Sequence, residues 1–199
     1  MANDLDFCVD VSKNKFLLLG EIARGGQGAV YRTQYPNTVV KLELEDGKLI
    51  PASDEARKKF RAVMTLPIPP NTNLTVPMNI LEKFSGYTMR MMDEEPLESS
   101  WLESITESNP ELAMIFFNLI KRGGLRRFFR AYLYAAQILA KIHGAGLVYC
   151  DFSHRNIFVS KNLEFCHVWL IDADNLDYQR NTRRKCFYTP HIGAPELHR

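Results

Sequence analysis

The stretch of sequence that decides the fold is Leu147-Val-Tyr-Cys-Asp151-Phe-Ser-His-Arg-Asn156-Ile-Phe-Val159. Two short apolar runs, each suited to a buried strand, enclose a polar loop in which Asp151 and Asn156 have the spacing D-x-x-x-x-N. A further apolar run beginning at Val168 ends in a second carboxylate, Asp172. Asp and Asn oxygens are hard ligands suited to Mg²⁺, and a remaining carboxylate can accept a hydroxyl proton. Loop acids are common, so none of these residues alone indicates a functional site, and only their combination does.

A glycine cluster lies upstream, at Gly25-Gly26-Gln27-Gly28, between two predicted strands. Glycines allow backbone N–H groups to approach a ligand closely, which suits phosphate oxygens. The cluster is not a Walker loop, because no Gly-Lys-Ser/Thr follows and the next element is a strand. Taken alone, the motif is better explained as a glycine-rich β-turn.

Lys41 ends the apolar part of the next strand, across a predicted hairpin from Gly28. A lysine at the inner end of a buried run needs an anion, since an unpaired buried charge is costly. A phosphate held by the glycine turn would supply one. The other interpretation is an outward-facing strand lysine, because lysine occupies exposed strand positions freely.

The chain reads as α+β, with a strand-rich first part and a helical second part. Ser53-Asp54-Glu55 predicts a helix start, and Phe60, Val63 and Met64 follow on one face. A longer helix is predicted over 125–143, and another over 111–121. The predicted apolar stripe of the longer helix consists of Phe128, Phe129, Tyr132, Ala136, Leu139, Ala140 and Ile142. We place the lobe boundary between residues 92 and 93, which gives lobes 1–92 and 93–199.

Composition excludes several classes of protein. The 199 residues carry a net charge of +2, and hydrophobic residues make up 46%, which is typical of a globular chain. No apolar run reaches the ~20 residues that span a bilayer, and the acidic N-terminus is unlike a signal peptide. The four widely spaced cysteines predict no disulfide framework and no zinc site. A cytoplasmic protein without a membrane partner is expected.

With these motifs in the order glycine turn, Lys41, Asp151, Asn156 and Asp172, the chain resembles the eukaryotic-like protein kinase superfamily. Gly25 and Gly28 match the second and third glycines of its glycine-rich loop, and Ala23 stands where the first belongs. Val39-Val40-Lys41 is similar to the V-A-I-K strand, and Tyr149-Cys150-Asp151 takes the place of His-Arg-Asp. Gly193-Ala194-Pro195-Glu196 resembles the end of an activation segment.

The resemblance implies a bilobal kinase-like fold, with an antiparallel N-lobe sheet, one N-lobe helix and a truncated helical C-lobe. It implies ATP and Mg²⁺ as cofactors, Asp151 as catalytic base and Lys41 on the phosphates. Asn156 and Asp172 would hold the metal. The implied nucleotide-binding residues are Gly25, Gly26, Gly28, Val30, Val39, Lys41, Met92 and Phe158.

Departures from the family pattern accompany this resemblance. Asp172-Ala173-Asp174 replaces Asp-Phe-Gly, and Cys150 replaces the arginine that grips a phosphorylated activation loop. The helix glutamate that should pair with Lys41 is assigned to Glu55, although another register would put Lys58 there. Because the chain stops three residues after Glu196, it is either a fragment of a longer protein or a minimal kinase.

Three functions follow from these observations. The first is phosphoryl transfer from ATP to protein Ser/Thr hydroxyls, and the second is a pseudokinase that binds nucleotide without transfer. A small-molecule kinase of the same fold is third, since Ala-Pro-Glu is a protein-kinase feature. The chain most resembles a bacterial branch often accompanied by phosphatase or helix-hairpin-helix partners, which implies a phosphatase or nucleic-acid-associated partner. The cluster Lys121, Arg122, Arg126, Arg127 and Arg130 is interpreted as a solvated helix entry.

Overall fold

The computed structural model describes residues 5–97 and 123–180. They form two compact units, the first made of residues 5–66 and 76–91, and the second of 67–75, 92–97 and 123–180. The division at 91/92 lies one residue from the lobe boundary placed at 92/93. The segment 67–75, however, belongs to the second unit. The helix predicted over 111–121 and the Ala-Pro-Glu motif lie outside the described residues.

An antiparallel sheet with the order β1-β2-β3-β4-β7-β6 dominates the first unit, and β5 pairs with β4. Its strands are β1 (Phe7–Val9), β2 (Lys15–Arg24), β3 (Gly28–Thr33), β4 (Thr38–Glu45), β5 (Lys48–Leu49), β6 (Asn79–Ile80) and β7 (Gly86–Arg90). The tight turn between β3 and β4 closes where the Thr38 N–H donates to the Tyr35 carbonyl at 3.0 Å. The hairpin predicted between Gly28 and Lys41 is therefore confirmed.

The chain just after β1 joins the two edges of this sheet. Asp10 forms a bridge with Leu81, the Val11 N–H donates to the Ile80 carbonyl, and the Glu82 N–H donates to the Val9 carbonyl, both at 2.9 Å. Asp10 is fully buried, and its carboxylate accepts the backbone N–H groups of Ser12 and Asn14. Buried acids of this kind persist because their oxygens are hydrogen-bonded. The sheet is consequently closed, which the sequence did not indicate.

The sheet has two covered faces, and each face takes alternate residues of β4. Val40 and Leu42 point to one side, into a cluster with Cys8, Phe16 and Leu81. The opposite side is covered in part by helix α1 (Asp54–Met64), which begins where the Ser53 hydroxyl accepts the Ala56 N–H at 3.1 Å. Alternation therefore gives β4 an apolar interior face and a second face that carries Lys41.

Helix α1 packs on that second face through one large aromatic contact. Phe60 meets Tyr87 of β7 edge to face, with ring centroids 4.9 Å apart, and both side chains are buried. Edge-to-face pairs of this kind add to the stabilisation that burial provides. Val63 is buried as well, whereas Met64 is exposed, so the predicted apolar face of the helix is one residue too wide.

The second unit combines one long helix with two small sheets. Helix α2 covers Gly124–Gly144, and the strands are β8 (Glu95–Pro96), β9 (Leu147–Tyr149), β10 (Ile157–Val159), β11 (Val168–Leu170) and β12 (Leu176–Tyr178). One sheet has the order β11-β10-β8, and the other pairs β12 with β9. The segment 67–75 joins this unit because Leu74 bridges Leu170 in parallel. Gly146, at φ +72°, provides the left-handed residue that ends α2.

The buried face of α2 differs from the stripe predicted for it. The buried residues of the helix are Arg127, Ala131, Ala135, Ile138 and Ile142. Phe129, which belonged to the predicted stripe, is 64% exposed, and of the seven stripe residues only Ile142 is buried. The predicted stripe was wrong because α2 carries apolar residues on all of its sides, so periodicity alone does not select the buried face.

Arg127 of α2 also differs from the prediction, because this basic residue was expected to be solvated and is only 7% exposed. Its guanidinium donates to the carbonyls of Asn162 at 3.2 Å and Leu163 at 3.3 Å, and also to those of Ser160 and Phe165. The loop between β10 and β11 is thus folded around one side chain. The interpretation of Arg127 as part of a solvated helix entry was wrong. Arg126 and Arg130 are exposed.

Three cysteines lie within the described residues. Cys8, Cys150 and Cys166 are free thiols, and Cys8 and Cys166 are buried.

Neither helix in residues 5–97 and 123–180 has the length and apolar character needed to cross a bilayer.

Candidate active site

The glycine turn lies between β2 and β3, where the sequence predicted it. The Gly25 N–H donates to the Gly28 carbonyl at 2.8 Å and closes the turn, while Gly25 and Gly26 are exposed. Gly28 is required for a packing reason, since a Cβ there would lie 2.9 Å from the Leu42 carbonyl oxygen. The turn is therefore held close against β4 at its last glycine and open at its first two.

Lys41 lies on the α1 side of the sheet, at a position fixed by the ladder on both sides. Its register partners are Val30 on β3 and Tyr87 on β7, and its Nζ lies 5.7 Å from the centre of the Tyr87 ring. A cation at this distance from an aromatic ring is attracted by the ring face. A Cβ on Gly28 would lie 3.5 Å from the Lys41 Cε, so the lysine stem runs beside the glycine turn.

Other predicted nucleotide-binding residues divide between the two units. Val30 pairs with Lys41 across the ladder, and Val39 lies two residues before it, so all three share one face of the sheet. Met92 and Phe158 belong to the second unit, and each is half-buried. Phe158 lies on β10, opposite Trp169 on one side and Pro96 on the other.

The helix residue predicted to pair with Lys41 lies in α1, and an ion pair joins this helix to β4 at another position. Glu55 lies exposed in the first turn of α1, and Lys58 is exposed too. The strand–helix pair that the structure shows joins Lys59 Nζ of α1 to Glu43 Oε1 of β4, at 3.3 Å. Sequence reasoning missed both partners, although Glu43 lies on the Lys41 side of β4 by simple alternation.

In the second unit, Asp151 and Asn156 are hydrogen-bonded to each other across the loop between β9 and β10. The Asn156 Nδ2 donates to the Asp151 carbonyl oxygen at 2.8 Å and to its Oδ2 at 3.2 Å. Asn156 is buried and Asp151 is half-buried. Since the amide NH₂ is used in this way, the Asn156 Oδ1 is the atom left to face a cation. The D-x-x-x-x-N spacing thus produces one connected loop.

Asp172 follows β11 and has a left-handed backbone, with φ 64° and ψ 46°. Non-glycine residues take this conformation at a cost, and such residues concentrate at functional sites. The preceding residue is fixed, because the Ile171 N–H donates to the Asn156 carbonyl at 3.0 Å. That bond brings the strand end that carries Asp172 next to the loop that carries Asn156.

Tyr149 lies among the acids of this unit and was not predicted as a site residue. Its hydroxyl donates to the Ile171 carbonyl, and the side chain is buried. Burial raises the pKa of the Tyr149 phenol well above its usual value, and the negative charges of Asp172, Asp151 and Asp174 raise it further. The phenol therefore stays neutral and ties together the ends of β9 and β11. Its position directly before Cys150-Asp151 was the available sequence signal.

Asp151, Asn156, Tyr149 and the strand end that carries Asp172 form what we call the loop cluster. The oxygen atoms of this cluster are of the type that binds a divalent cation. Within residues 5–97 and 123–180 there is no group of three His, Cys, Asp or Glu side chains arranged to hold a metal ion by themselves. Mg²⁺ does not need such a group, because it binds through one or two carboxylates, waters and substrate phosphates. Asn156 and Asp172 offer hard oxygens that match this preference.

A cavity of about 200 Å³ lies in another part of the second unit. Its lining includes Asn71, Tyr134, Lys141 and His167, and none of the predicted site residues contributes to it. This cavity is therefore separate from the loop that carries Asp151 and Asn156.

Comparisons with known proteins bear on the fold. No protein-family model matches the chain, and no curated protein matches its sequence. Among solved structures it is similar to that of vaccinia related kinase 3, with a TM-score of 0.52, 16% identity, and coverage of 86% of this chain and 51% of that one. It is also similar to a point mutant of the Mycobacterium tuberculosis PknI kinase domain, with a TM-score of 0.55 and 14% identity.

The second comparison covers 87% of this chain and 63% of that kinase domain, so the chain spans about half to two thirds of the length of these two structures. The order of the elements is consistent with the similarity: a closed antiparallel sheet with one helix is followed by a long helix and short strand pairs. The predicted α+β class is confirmed. The chain has a protein-kinase-like fold.

Proposed function

We propose that this chain is an ATP- and Mg²⁺-dependent protein kinase that transfers a phosphoryl group to Ser or Thr hydroxyls. The observation that carries the proposal is the bonding of Asp151, Asn156 and the Asp172 strand end into one loop cluster around Tyr149. Phosphoryl transfer relies on positioning and electrostatics, so a fixed set of oxygens is the main requirement. The kinase-like fold supports the same reaction class.

Each residue of the loop cluster has a separate role in this proposal. The Asp151 carboxylate orients the acceptor hydroxyl and receives its proton, as a general base does. Asn156 would offer its Oδ1 to a cation, because its NH₂ donates to Asp151. Asp172 would offer the negatively charged ligand. When bound, Mg²⁺ would offset the charge of the phosphates.

In the first unit, Lys41 and the glycine turn are proposed to hold the phosphates of ATP. The exposed backbone of Gly25 and Gly26 suits the close approach of phosphate oxygens, and the lysine stem runs beside Gly28. Val30 and Val39 flank Lys41 on the same face and offer apolar contacts for the base.

The direct test is incubation of the purified chain with labelled ATP and Mg²⁺, with and without a generic basic protein. Label on serine or threonine of the chain or of the added protein supports the proposal. Label on neither, on the longest form of the protein that can be prepared, contradicts phosphoryl transfer.

Nucleotide binding is tested separately by thermal shift, because a ligand that binds only the folded state raises its melting temperature. A Tm that does not respond to millimolar ATP and Mg²⁺ would contradict the nucleotide site. With bound nucleotide established, Asp172→Asn should abolish the Mg²⁺-dependent part of the shift and leave the metal-free part. A larger effect of Asp174→Asn would show that the metal motif is displaced by two residues.

A pseudokinase is the second candidate, and the altered metal motif favours it. Asp172-Ala173-Asp174 departs from Asp-Phe-Gly. A chain that binds Mg²⁺-ATP and transfers nothing would decide for this candidate.

The proposed partners and cellular location rest only on the resemblance of the sequence to a bacterial branch of the kinase superfamily. We propose a protein substrate in the cytoplasm and a phosphatase or nucleic-acid-associated partner. Cross-linking in the cell of origin, followed by mass spectrometry, tests this part. Recovery of membrane proteins in place of such partners would contradict it.

A further inference from the structure

An ion pair between β4 and α1 has the opposite polarity to the pair that the kinase resemblance implies. The implied pair joins the strand lysine, Lys41, to a helix carboxylate. In the structure a strand carboxylate, Glu43, meets a helix lysine, Lys59, with 3.3 Å between Oε1 and Nζ. Lys59 comes four residues after Glu55, hence one turn further along the same side of α1.

Glu43 is fixed by more than this one contact. Its Oε2 accepts a hydrogen bond from the hydroxyl of Ser85, a buried residue, and its N–H donates to the Ser85 carbonyl at 2.8 Å. The Glu43 side chain is 20% exposed, and that of Lys59 is 30% exposed. Both carboxylate oxygens are thus engaged in a largely covered place, where solvent screens charges less than at the surface.

The Glu43–Lys59 pair lies where the glycine turn, the strand that carries Lys41 and helix α1 meet. Glu43 is the ladder partner of Gly28, the last glycine of the turn. It lies two residues after Lys41 and therefore on the same face of β4. On that face Tyr87, the ladder partner of Lys41, packs against Phe60, the neighbour of Lys59 in α1. A movement of α1 would therefore reach both the glycine turn and the lysine strand.

We propose that Glu43 and Lys59 are positioning residues that hold α1 against the lysine strand and thereby set the glycine turn and Lys41 for phosphate binding. This inference rests on the proposed nucleotide site. In this inference the link between α1 and β4 is made by Glu43 and Lys59, with the carboxylate on the strand and the lysine on the helix.

The test is a double-mutant cycle made of Glu43→Gln, Lys59→Met and the double variant, all in the full chain. Glutamine keeps an oxygen for the Ser85 hydroxyl, and methionine keeps most of the lysine stem. Lys58→Met is the matched control, because it removes the same charge from the neighbouring, exposed position of α1. The dissociation constant of Mg²⁺-ATP is measured at a temperature where all variants are folded.

Positioning predicts that both single variants weaken ATP binding, by roughly three- to tenfold, and that the double variant is no weaker than the worse single one, as expected for directly coupled residues. Lys58→Met should stay within about twofold. A pure charge effect predicts another pattern, since removal of the Glu43 charge would then strengthen binding of the ATP anion while removal of the Lys59 charge weakens it. Opposite signs for the two single variants overturn the proposal, as do effects that multiply in the double variant.

Amide hydrogen exchange of α1, measured without nucleotide, separates this inference from the proposed function. If both single variants speed exchange in α1 more than in β3 and β4, and the double variant adds nothing, the pair holds the helix even in a chain that binds no ATP. Unchanged exchange in α1 overturns the proposal whether or not ATP binds.

Discussion

The strand that carries Lys41 and the loop that carries Asp151 are held in place in different ways. Lys41 is fixed by backbone ladders on both sides, to Val30 and to Tyr87. Asp151 lies in a loop whose shape depends on side chains that bond to it and to nearby carbonyls, among them Asn156 and Tyr149. A ladder uses backbone bonds that every residue except proline can donate, whereas the loop depends on particular side chains. Single substitutions should therefore affect the second unit more sharply.

The largest effect expected is that of Asp151→Asn on phosphoryl transfer. Asparagine keeps the shape of the side chain and removes the negative charge, so the rate should fall by roughly 10²–10⁴-fold, as for a positioned general base. The affinity for Mg²⁺-ATP and the melting temperature should stay nearly unchanged. Steady-state transfer and thermal shift provide the two measurements. A rate within threefold of the wild type would mean that the loop cluster does not perform the chemistry.

Next in size is the effect of Arg127→Ala on stability. The buried guanidinium is bonded to several carbonyls of the β10–β11 loop, and hydrogen bonds from charged groups are among the stronger ones. We expect a loss of roughly 2–4 kcal/mol in the free energy of unfolding, measured in urea. Arg130→Ala, at an exposed position of the same helix, is the control and should cost less than about 0.5 kcal/mol. Equal costs for the two would mean that the contacts of Arg127 with the β10–β11 loop do not stabilise the second unit.

The contrast also explains which features the sequence predicted. Strands β2, β3 and β4 could be predicted around the glycine cluster and Lys41, because short apolar runs and turn residues mark them locally. The sequence could single out the loop residues Asp151, Asn156 and Asp172 as candidates because their motifs are local. Arg127 was not found, since nothing in a run of basic residues indicates which one meets a loop more than thirty residues later in the chain. The Glu43–Lys59 pair was missed for a similar reason, because the register of α1 against β4 depends on packing.

A smaller effect is expected for Gly86→Ala, which tests the ladder side of the comparison. A Cβ at this position would lie 2.3 Å from the Lys41 carbonyl oxygen, so β7 and β4 would have to separate. Forced overpacking of this kind costs roughly 1–3 kcal/mol in the free energy of unfolding. Gly25→Ala meets nothing within 4 Å and should leave the urea midpoint unchanged. If the two variants unfold at the same midpoint, the close approach of β4 and β7 is not required.

The most gradual effect is a loss of stability at high pH, to which each unit contributes one buried acidic group. Burial raises the pKa of the Cys8 thiol from 9.0 to about 11, and that of Tyr149 lies well above 10.0. Both groups are neutral when folded and ionise more easily when unfolded, so stability is full below pH 9 and falls as the pH rises. Each contributes a slope of at most about 1.4 kcal/mol per pH unit.

Urea unfolding between pH 8 and pH 11 measures this dependence. Cys8→Ala should flatten the curve from about pH 9 upward, and Tyr149→Phe should flatten it only above about pH 10. A wild-type curve that is level to pH 11 would contradict burial of both groups.

The closure of the first sheet by residues 9–11 has a consequence for self-association. An open sheet presents unpaired N–H and C=O groups along its outer strands, and such edges can recruit strands from other chains. Here the bridge between Asp10 and Leu81 lets one short segment cover β2 and the continuation of β6 together. Removal of the first ten residues would uncover both edges at once. Chains shortened in this way should therefore associate edge to edge, and light scattering would detect this at concentrations where the intact protein remains dispersed.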